Sequence, residues 1–269
     1  MEAALCDLAA ATVSAVFVTP VVAAVDKAIP EAAAGKATLL QSFVGTLRSM
    51  VSLQAVRRPE FLYVWALFAG TYSVNNLVCS VEQHTDTSMP TTKTTSVFLG
   101  NMSLAMWKDA AFARIFGGAA SPSLPLRSYG AWAVRDLTGM SVVFTLPPLL
   151  APKLAEATDL SRRSAETVCQ FVLPMAIQPV VAPFHQLGFL VSFKPDAPLT
   201  DHLAVIRQQL PGVVFMRWIR GFPPYCVGAT MNKNLRFELR TLFGLNTDPP
   251  EANAVPHYAA NISRKLTPG

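Results

Sequence analysis

Charged and amide side chains interrupt several long uncharged stretches of this sequence. Arg135 and Asp136 lie within "WAVRDLTGM", Asn76 lies in the uncharged run Phe61–Val81, and Lys233 stands near the end of another run. Such groups are costly in an apolar span and mark a solute pathway or a partner. The sequence therefore predicts four substrate contacts: Arg135, Asp136, Asn76 and Lys233. The alternatives are a structural or interfacial ion pair for the first two and hydrogen bonds between helices for the amides.

The residue types that carry catalysis or bind metals are dispersed. The four cysteines form no CxxC motif, and the four histidines have no metal-ligand spacing. Neither a set of nucleophile, base and acid, nor a glycine-rich phosphate loop, nor paired carboxylates can be found. We therefore predict that the protein is not an enzyme and has no catalytic residues, no cofactor and no metal site.

The overall composition is that of a membrane protein with a polar interior. Charged residues make up 14% of the chain and hydrophobic residues 51%, whereas ordinary soluble domains contain about 25% charged residues. The net charge is +5, but the basic residues are scattered between uncharged runs. A nucleic-acid partner would require a basic face with interleaved aromatic residues, so we predict none.

Six uncharged runs predict six transmembrane helices and an all-α fold. A hydrocarbon core of ~30 Å needs about 20 residues of helix, which the second and fifth runs supply unaided. The others need charged residues near their ends to reach the interface or to face a polar interior. The runs are Leu8–Val25, Phe61–Val81, Thr94–Trp107, Leu137–Pro152, Thr167–Phe193 and Gly221–Asn232.

The runs occur in pairs, which predicts three pseudo-repeats. "ATLLQSFVGTLRSMVSL" and "DHLAVIRQQL" separate the runs of the first and third pairs and predict amphipathic helices at the interface. Pro20 and Pro183 fall late in the first and fifth runs and predict kinks. We predict a single membrane domain over residues 1–269, with repeats at about 1–85, 93–155 and 164–245 and a polar tail at 246–269.

With these features, the chain resembles the mitochondrial carrier family. In that family three pairs of membrane helices are joined by amphipathic helices on the matrix side, and an aromatic-x-Arg-Gly sequence followed by proline precedes each even helix. Arg220, Gly221 and Pro223 match this sequence for a sixth helix. Pro20 with Lys27 and Pro183 with His185 stand where the family has its odd-helix motif.

The acidic and basic residues that close the matrix side of carriers are largely missing. Val22 stands where the family has an acid after Pro20, and His185 stands there after Pro183. The polar groups left for a matrix gate are Lys27, Lys108, Asp109, Arg114 and His185. The resemblance therefore implies a carrier fold with its transport machinery partly erased.

Two functions follow from the resemblance. The first is a non-transporting accessory subunit of a mitochondrial membrane assembly, such as a respiratory-chain or ATP synthase complex. The alternative is an active solute transporter of the inner membrane with an atypical matrix gate.

The implied partners are the lipid bilayer, with bound cardiolipin as a candidate, and other membrane subunits. The implied location is the mitochondrial inner membrane, multi-pass, with the outer membrane as an alternative. The basic residues between Asp26 and Glu60 place that stretch in the matrix and both termini on the opposite side.

Overall fold

The structure, a computed structural model, describes residues 2–85, 87–118, 123–158 and 160–245, and every element in these ranges is helical. The predicted all-α class is therefore confirmed for the described residues, and the predicted tail lies outside them. The α-helices are α1 (Glu2–Ala33), α2 (Leu39–Ser49), α3 (Pro59–Thr85), α4 (Pro90–Phe112), α5 (Leu126–Ala157), α6 (Arg162–Ala176), α7 (Gln178–Phe193), α8 (Leu199–Phe222) and α9 (Ala229–Leu242). A 3₁₀ turn covers Leu53–Arg57, and π-helical segments cover Ala113–Gly117 and Pro223–Gly228.

Several of these helices join into longer rods. Only Ile177 separates α6 from α7, and the π-helical segment Pro223–Gly228 connects α8 directly to α9. The described residues thus contain six long rods: α1, α3, α4, α5, α6–α7 and α8–α9. Pro20 lies inside α1, Pro183 lies inside α7, and the helices continue through both residues.

Two of the rods are long and apolar enough to cross a membrane, over residues Glu2–Ala33 and Ser164–Phe193. The other four are interrupted by charged or amide residues, which lower their hydropathy. All six nevertheless carry large hydrophobic side chains on the outer surface. These include Phe17, Leu77, Leu99, Leu149, Phe171 and Phe215, each at least 49% exposed. An outer surface this apolar is suited to lipid rather than to water.

Three sequence-based boundaries are wrong. "DHLAVIRQQL" is not a separate amphipathic helix, because α8 runs through it without a break. Arg220, Gly221 and Pro223 do not precede a helix but lie in the middle of the α8–α9 rod. Asp26 lies within α1 rather than in a loop. The shared reason is that a bilayer leaves free backbone groups unsatisfied, so helices continue through proline and charge when neighbours supply hydrogen bonds. Tyr72 Oη, for example, donates to the Pro224 carbonyl over 3.3 Å.

Helix α1 lies at the centre of the packing. It packs against α2, α3, α8 and α9, whereas the contact between α1 and α7 and the contact between α4 and α5 are both small. Its buried residues are mostly small, including Ala10, Ala11, Ala15 and Ala23, each with no exposed surface. Small residues let helix backbones approach closely in a membrane. The predicted amphipathic helix between the first two rods is present as α2, which begins with a capping box of Thr38 and Gln41.

Candidate functional site

Two buried carboxylates on α1 organise the polar interior of the bundle. Asp7 has no exposed surface, and Asp26 is 1% exposed. They are nineteen residues apart, which corresponds to about 28 Å along a helix. This separation is close to the ~30 Å thickness of a hydrocarbon core. Each carboxylate collects cations from other helices, and we call the two groups the Asp26 cluster and the Asp7 cluster.

The Asp26 cluster begins with a carboxylate held by two cations. Lys108 Nζ of α4 lies 2.6 Å from Asp26 Oδ2, and Arg220 Nε of α8 lies 2.6 Å from Asp26 Oδ1. Lys108 is only 2% exposed. A buried cation of this kind is tolerated only when it is paired, so Asp26 and Lys108 stabilise each other between α1 and α4.

The chain of ion pairs continues from α4 into α5. Lys108 Nζ also lies 2.7 Å from Asp109 Oδ1, and Arg135 Nη1 lies 2.5 Å from Asp109 Oδ2. Arg135 Nε in turn lies 2.7 Å from Asp136 Oδ1. Four rods are therefore connected through one line of alternating charges, although α4 and α5 scarcely touch elsewhere.

His185 and Arg217 complete this cluster from α7 and α8. Arg217 Nη1 donates to His185 Nδ1 over 2.8 Å, and Arg217 Nε donates to Gln178 Oε1 over 2.6 Å. Because arginine can only donate, His185 Nδ1 is the acceptor and the ring proton sits on Nε2. Nε2 lies 3.6 Å from Asp109 Oδ1, which is too far for a hydrogen bond. Arg217 forms no ion pair with a carboxylate of any described residue.

The Asp26 cluster therefore carries more cations than carboxylates. Its three carboxylates face four cations, and the surplus cation is Arg217. The members are Asp26, Asp109 and Asp136 against Lys108, Arg135, Arg217 and Arg220. A single negative charge from outside the protein would balance it.

The Asp7 cluster joins α1 to α9 and α3 at the other end of the bundle. Arg240 lies 2.8 Å from Asp7 with both Nε and Nη2, and Arg236 Nε lies 2.7 Å from Asp7 Oδ1. Ser80 of α3 also donates to Asp7. Gln83 accepts from Arg240 Nη1 over 2.5 Å and from Arg236 Nη2 over 3.2 Å. Here two arginines share one carboxylate, so this cluster also carries a surplus cation.

An amide pair lies next to the Asp7 cluster. Asn76 Nδ2 donates to Asn232 Oδ1 over 3.0 Å, and Asn232 Nδ2 donates to Asn76 Oδ1 over 2.9 Å. Asn76 Nδ2 also donates to the carbonyl of Asp7 over 3.0 Å. This reciprocal pair joins α3 to α9. It agrees with the alternative role for these amides, namely hydrogen bonds between helices.

The predicted substrate contacts do not form one site. Arg135 and Asp136 belong to the Asp26 cluster and Asn76 adjoins the Asp7 cluster, while Lys233 is partly buried on α9 beside Asn232. No contact between a solute and any of them has been tested, so these assignments stay predictions.

The carrier-motif residues are also distributed. His185 and Arg220 lie in the Asp26 cluster, and Pro223 opens the π-helical segment. Gly221 packs against Met175.

Lys27 lies 3.2 Å from Glu60 and above the ring of Phe116. Among the other predicted gate groups, Lys108 and Asp109 join the Asp26 cluster, whereas Arg114 is exposed in the π-helical segment Ala113–Gly117.

Sequence reasoning missed Asp7, Asp26, Arg217, Arg236 and Arg240 as members of these clusters. Two signals could have found all of them except Arg217. Asp7 and Asp26 stand at the two ends of the uncharged run Leu8–Val25 within one helix, where a buried charge requires a partner. Arg236 and Arg240 are four residues apart and so share one face of α9.

Residues 10–240 match a family described as a probable citrulline exporter. The match covers most of the chain, and the protein belongs to this family. No curated protein and no solved structure matches the chain. The membership and the apolar helices make it a multi-pass membrane protein of an exporter family.

The resemblance to the mitochondrial carrier family is therefore wrong. Paired apolar runs, prolines within helices and an arginine near an aromatic residue occur in membrane proteins generally, because a bilayer imposes the same constraints on all of them. The charges that close mitochondrial carriers are not expected in this family, so their absence here does not indicate a loss of transport. The mitochondrial location drew on the same resemblance and stays a prediction.

Proposed function

We propose that this protein exports citrulline, or a closely similar amino acid, across a membrane, and that its two charged clusters open in turn. The family description supports the alternative function, a transporter, rather than the accessory subunit. Citrulline carries an α-carboxylate, an α-ammonium group and an uncharged ureido side chain. Such a solute needs a polar path through the bilayer.

The observation that carries this proposal is that both clusters join the same two rods. Asp26 pairs with Arg220, and Asp7 pairs with Arg236 and Arg240, so α1 is fastened to α8–α9 at two levels. Between those levels the buried face of α1 is mainly apolar, with Val18 and Val22, and it also carries the hydroxyls of Ser14 and Thr19. A solute that passes along α1 must therefore cross both charged levels, and both are closed in this structure.

Opening one cluster at a time is favoured on energetic grounds. Separating a buried pair leaves an uncompensated charge and costs about 3–5 kcal/mol. Opening both clusters together would incur this cost twice and would leave a continuous pore. A solute whose charges replace the broken ion pairs of one cluster lowers the free-energy cost of opening that cluster only. Alternating access requires this kind of difference in the interaction of the solute with the two states.

The π-helical segment Pro223–Gly228 supplies a place for the two levels to move separately. It lies between Arg220 and Arg236 on the same rod. Pro223 and Pro224 have no amide proton to donate, so this part of the rod lacks backbone hydrogen bonds that an ideal helix would have. π-Helical segments occur frequently at functional sites. We propose that α8 and α9 pivot against each other here.

We further propose that all six rods cross the membrane. Of the four less hydrophobic rods, α4, α5 and α8–α9 contribute charged residues to the two clusters, which removes those charges from lipid. The fourth, α3, contributes Ser80 and Gln83 to the Asp7 cluster. An even number of crossings puts the start of α1 and the end of α9 on one side, as the Asp7–Arg240 contact requires.

Efflux from liposomes tests the proposed function. The purified protein would be reconstituted into liposomes loaded with radiolabelled citrulline, and release would be followed after dilution, with ornithine, arginine, glutamine, keto acids and nucleotides as competitors. We expect saturable citrulline efflux that citrulline itself inhibits. Arg207→Gln, on the exposed face of α8, is a control that should leave the flux unchanged.

The proposal would be contradicted if liposomes that contain the folded protein released citrulline no faster than loaded liposomes without protein. If that protein also migrated with a large complex in native electrophoresis of its source membranes, the accessory-subunit function would be supported instead.

A further inference from the structure

His185 occupies a position between a cation and an anion that belong to different rods. Its Nδ1 accepts from Arg217 of α8 over 2.8 Å, and its Nε2 points toward Asp109 of α4 at 3.6 Å. The residue is 1% exposed. The neutral imidazole thus bridges a positive and a negative group without satisfying the charge of either.

All three residues retain unused hydrogen-bonding capacity. His185 Nε2 and Asp109 Oδ1 are buried and have no hydrogen-bond partner among the described residues. Lys108 Nζ lies 2.7 Å from Asp109 Oδ1, so the oxygen is close to a charge but not in a hydrogen-bonding direction. Arg217 uses Nε and Nη1 and leaves Nη2 without a partner among those residues. Buried polar atoms without a partner, such as His185 Nε2 and Asp109 Oδ1, are uncommon in native structures and need an explanation.

We infer that the head group of a zwitterionic α-amino acid binds between Arg217 and Asp109, and takes the two positions that His185 bridges in this structure. This inference rests on the proposed transport function and identifies where the solute is held. The α-carboxylate pairs with the guanidinium of Arg217, whose planar fork matches a carboxylate with two parallel hydrogen bonds. The α-ammonium group donates to Asp109 Oδ1, and the His185 ring turns aside.

Charge balance in the cluster disfavours a solute with a cationic side chain. The carboxylate of the solute neutralises the surplus cation Arg217. The remaining carboxylates already pair with Lys108, Arg135 and Arg220. The α-ammonium group adds a cation in turn, so a bound zwitterion leaves the surplus of one positive charge in place. A cationic side chain would raise that surplus to two and would find no partner, and an unpaired charge in this interior is costly. The site is suited to an amino acid with an uncharged side chain, such as citrulline, over ornithine or arginine.

Calorimetric binding to the purified full-length protein tests this site. The probes are citrulline, citrullinamide, which lacks the carboxylate, and ornithine, which carries a second ammonium group. Wild-type protein should bind citrulline at least ten-fold more tightly than either of the others. Arg217→Gln should weaken citrulline binding by about ten- to hundred-fold, because a hydrogen-bonded charge is lost. It should leave citrullinamide binding unchanged and so remove the preference for the carboxylate.

Two controls separate a lost contact from a damaged fold. Arg207→Gln removes an exposed arginine from the same helix and should leave binding unchanged. Arg217→Lys retains the positive charge without the planar fork and should bind citrulline with intermediate affinity. Thermal unfolding of each variant would establish that it is folded.

The outcomes distinguish failure of the site from failure of the function. If folded wild-type protein binds no amino acid, the proposed function itself is contradicted. If wild-type protein binds citrulline and citrullinamide equally, or if Arg217→Gln binds citrulline as tightly as wild type, the site is wrong while the function stands. If Arg217→Gln does not fold, the wild-type comparison of citrulline with citrullinamide and the Arg217→Lys variant decide the question.

Discussion

Arg220 Nε lies 2.6 Å from Asp26 Oδ1, and this pair joins two rods from opposite ends of the sequence. The same rods meet again where Arg240 lies 2.8 Å from Asp7, 233 residues away in the chain. Because α1 and α8–α9 run antiparallel, the two contacts close one interface at two depths. The proposed mechanism depends on this double closure.

Removing either carboxylate should destabilise the protein and stop transport. Asp26→Asn leaves Lys108 and Arg220 without a shared anion, and Asp7→Asn does the same to Arg236 and Arg240. Breaking a buried pair costs about 3–5 kcal/mol, so we expect a large fall in the free energy of unfolding in detergent. Citrulline efflux should fall at least ten-fold.

Asp196→Asn is the matched control for these variants, because Asp196 is an exposed carboxylate between α7 and α8. It should leave stability and efflux at wild-type values. If Asp7→Asn and Asp26→Asn behaved as Asp196→Asn does, the clusters would have no closing role.

Enlarging Gly228 should block the proposed pivot. A Cβ at this position would collide with the Tyr72 hydroxyl and with Val18, and overpacking of this kind costs about 1–3 kcal/mol. We expect Gly228→Ala to reduce efflux more than it reduces citrulline affinity. Gly130→Ala is the control, because nothing lies within 4 Å of its added Cβ and a helical alanine is favoured over glycine by about 1 kcal/mol. Equal efflux from both variants would argue against a pivot at this segment.

The Asn76–Asn232 pair should behave as a structural contact. Interhelical hydrogen bonds in membranes contribute about 0.6–2 kcal/mol. In a double-mutant cycle with Asn76→Ala and Asn232→Ala, we expect the double variant to be scarcely less stable than either single variant. Citrulline affinity should not change. A specific loss of affinity in Asn76→Ala would restore this residue as a substrate contact.

The sequence predicted the helical class and many of the polar residues of the Asp26 cluster. It did not predict which of these residues form ion pairs with each other. Runs of uncharged residues report membrane helices directly, because the cost of burying charge in lipid is high. Arg135 and Asp136 are predicted from charges within an apolar run, whereas Lys108, Asp109, His185 and Arg220 are predicted from the comparison with carrier motifs. Their partners are not predicted, because pairing depends on how the rods pack, and Asp26 was assigned to a loop.

The α8–α9 rod shows a second reason for the errors. "GFPP" is a turn or helix start in most settings, since proline lacks an amide proton. Here Tyr72 of another rod donates to the Pro224 carbonyl, and the helix continues as a π-helical segment. A hydrogen bond between residues 152 positions apart cannot be read from local sequence.

Six crossings predict the sidedness of the chain. In a background without native cysteines, Glu2→Cys and Leu242→Cys should react with an impermeant maleimide on the same side of the membrane. Lys36→Cys, between α1 and α2, should react on the opposite side. Glu2→Cys and Leu242→Cys on opposite sides would mean an odd number of crossings and would exclude the proposed topology.

The central claim is that the two clusters close opposite ends of one pathway, and the reactivity of a single buried position tests it most directly. Ser14 lies on α1 between Asp7 and Asp26, is fully buried, and its hydroxyl has no hydrogen-bond partner among the described residues. It is seven residues from Asp7 and therefore on nearly the same face of α1.

In the cysteine-free background, Ser14→Cys would be labelled with an impermeant maleimide from each side of proteoliposomes, alone and combined with Asp7→Asn or Asp26→Asn. We expect slow labelling of Ser14→Cys alone. Asp7→Asn should accelerate labelling only from the side of Glu2, and Asp26→Asn only from the side of Lys36. The account would be contradicted if a single substitution accelerated labelling from both sides of the membrane. It would also be contradicted if neither Asp7→Asn nor Asp26→Asn accelerated labelling from either side.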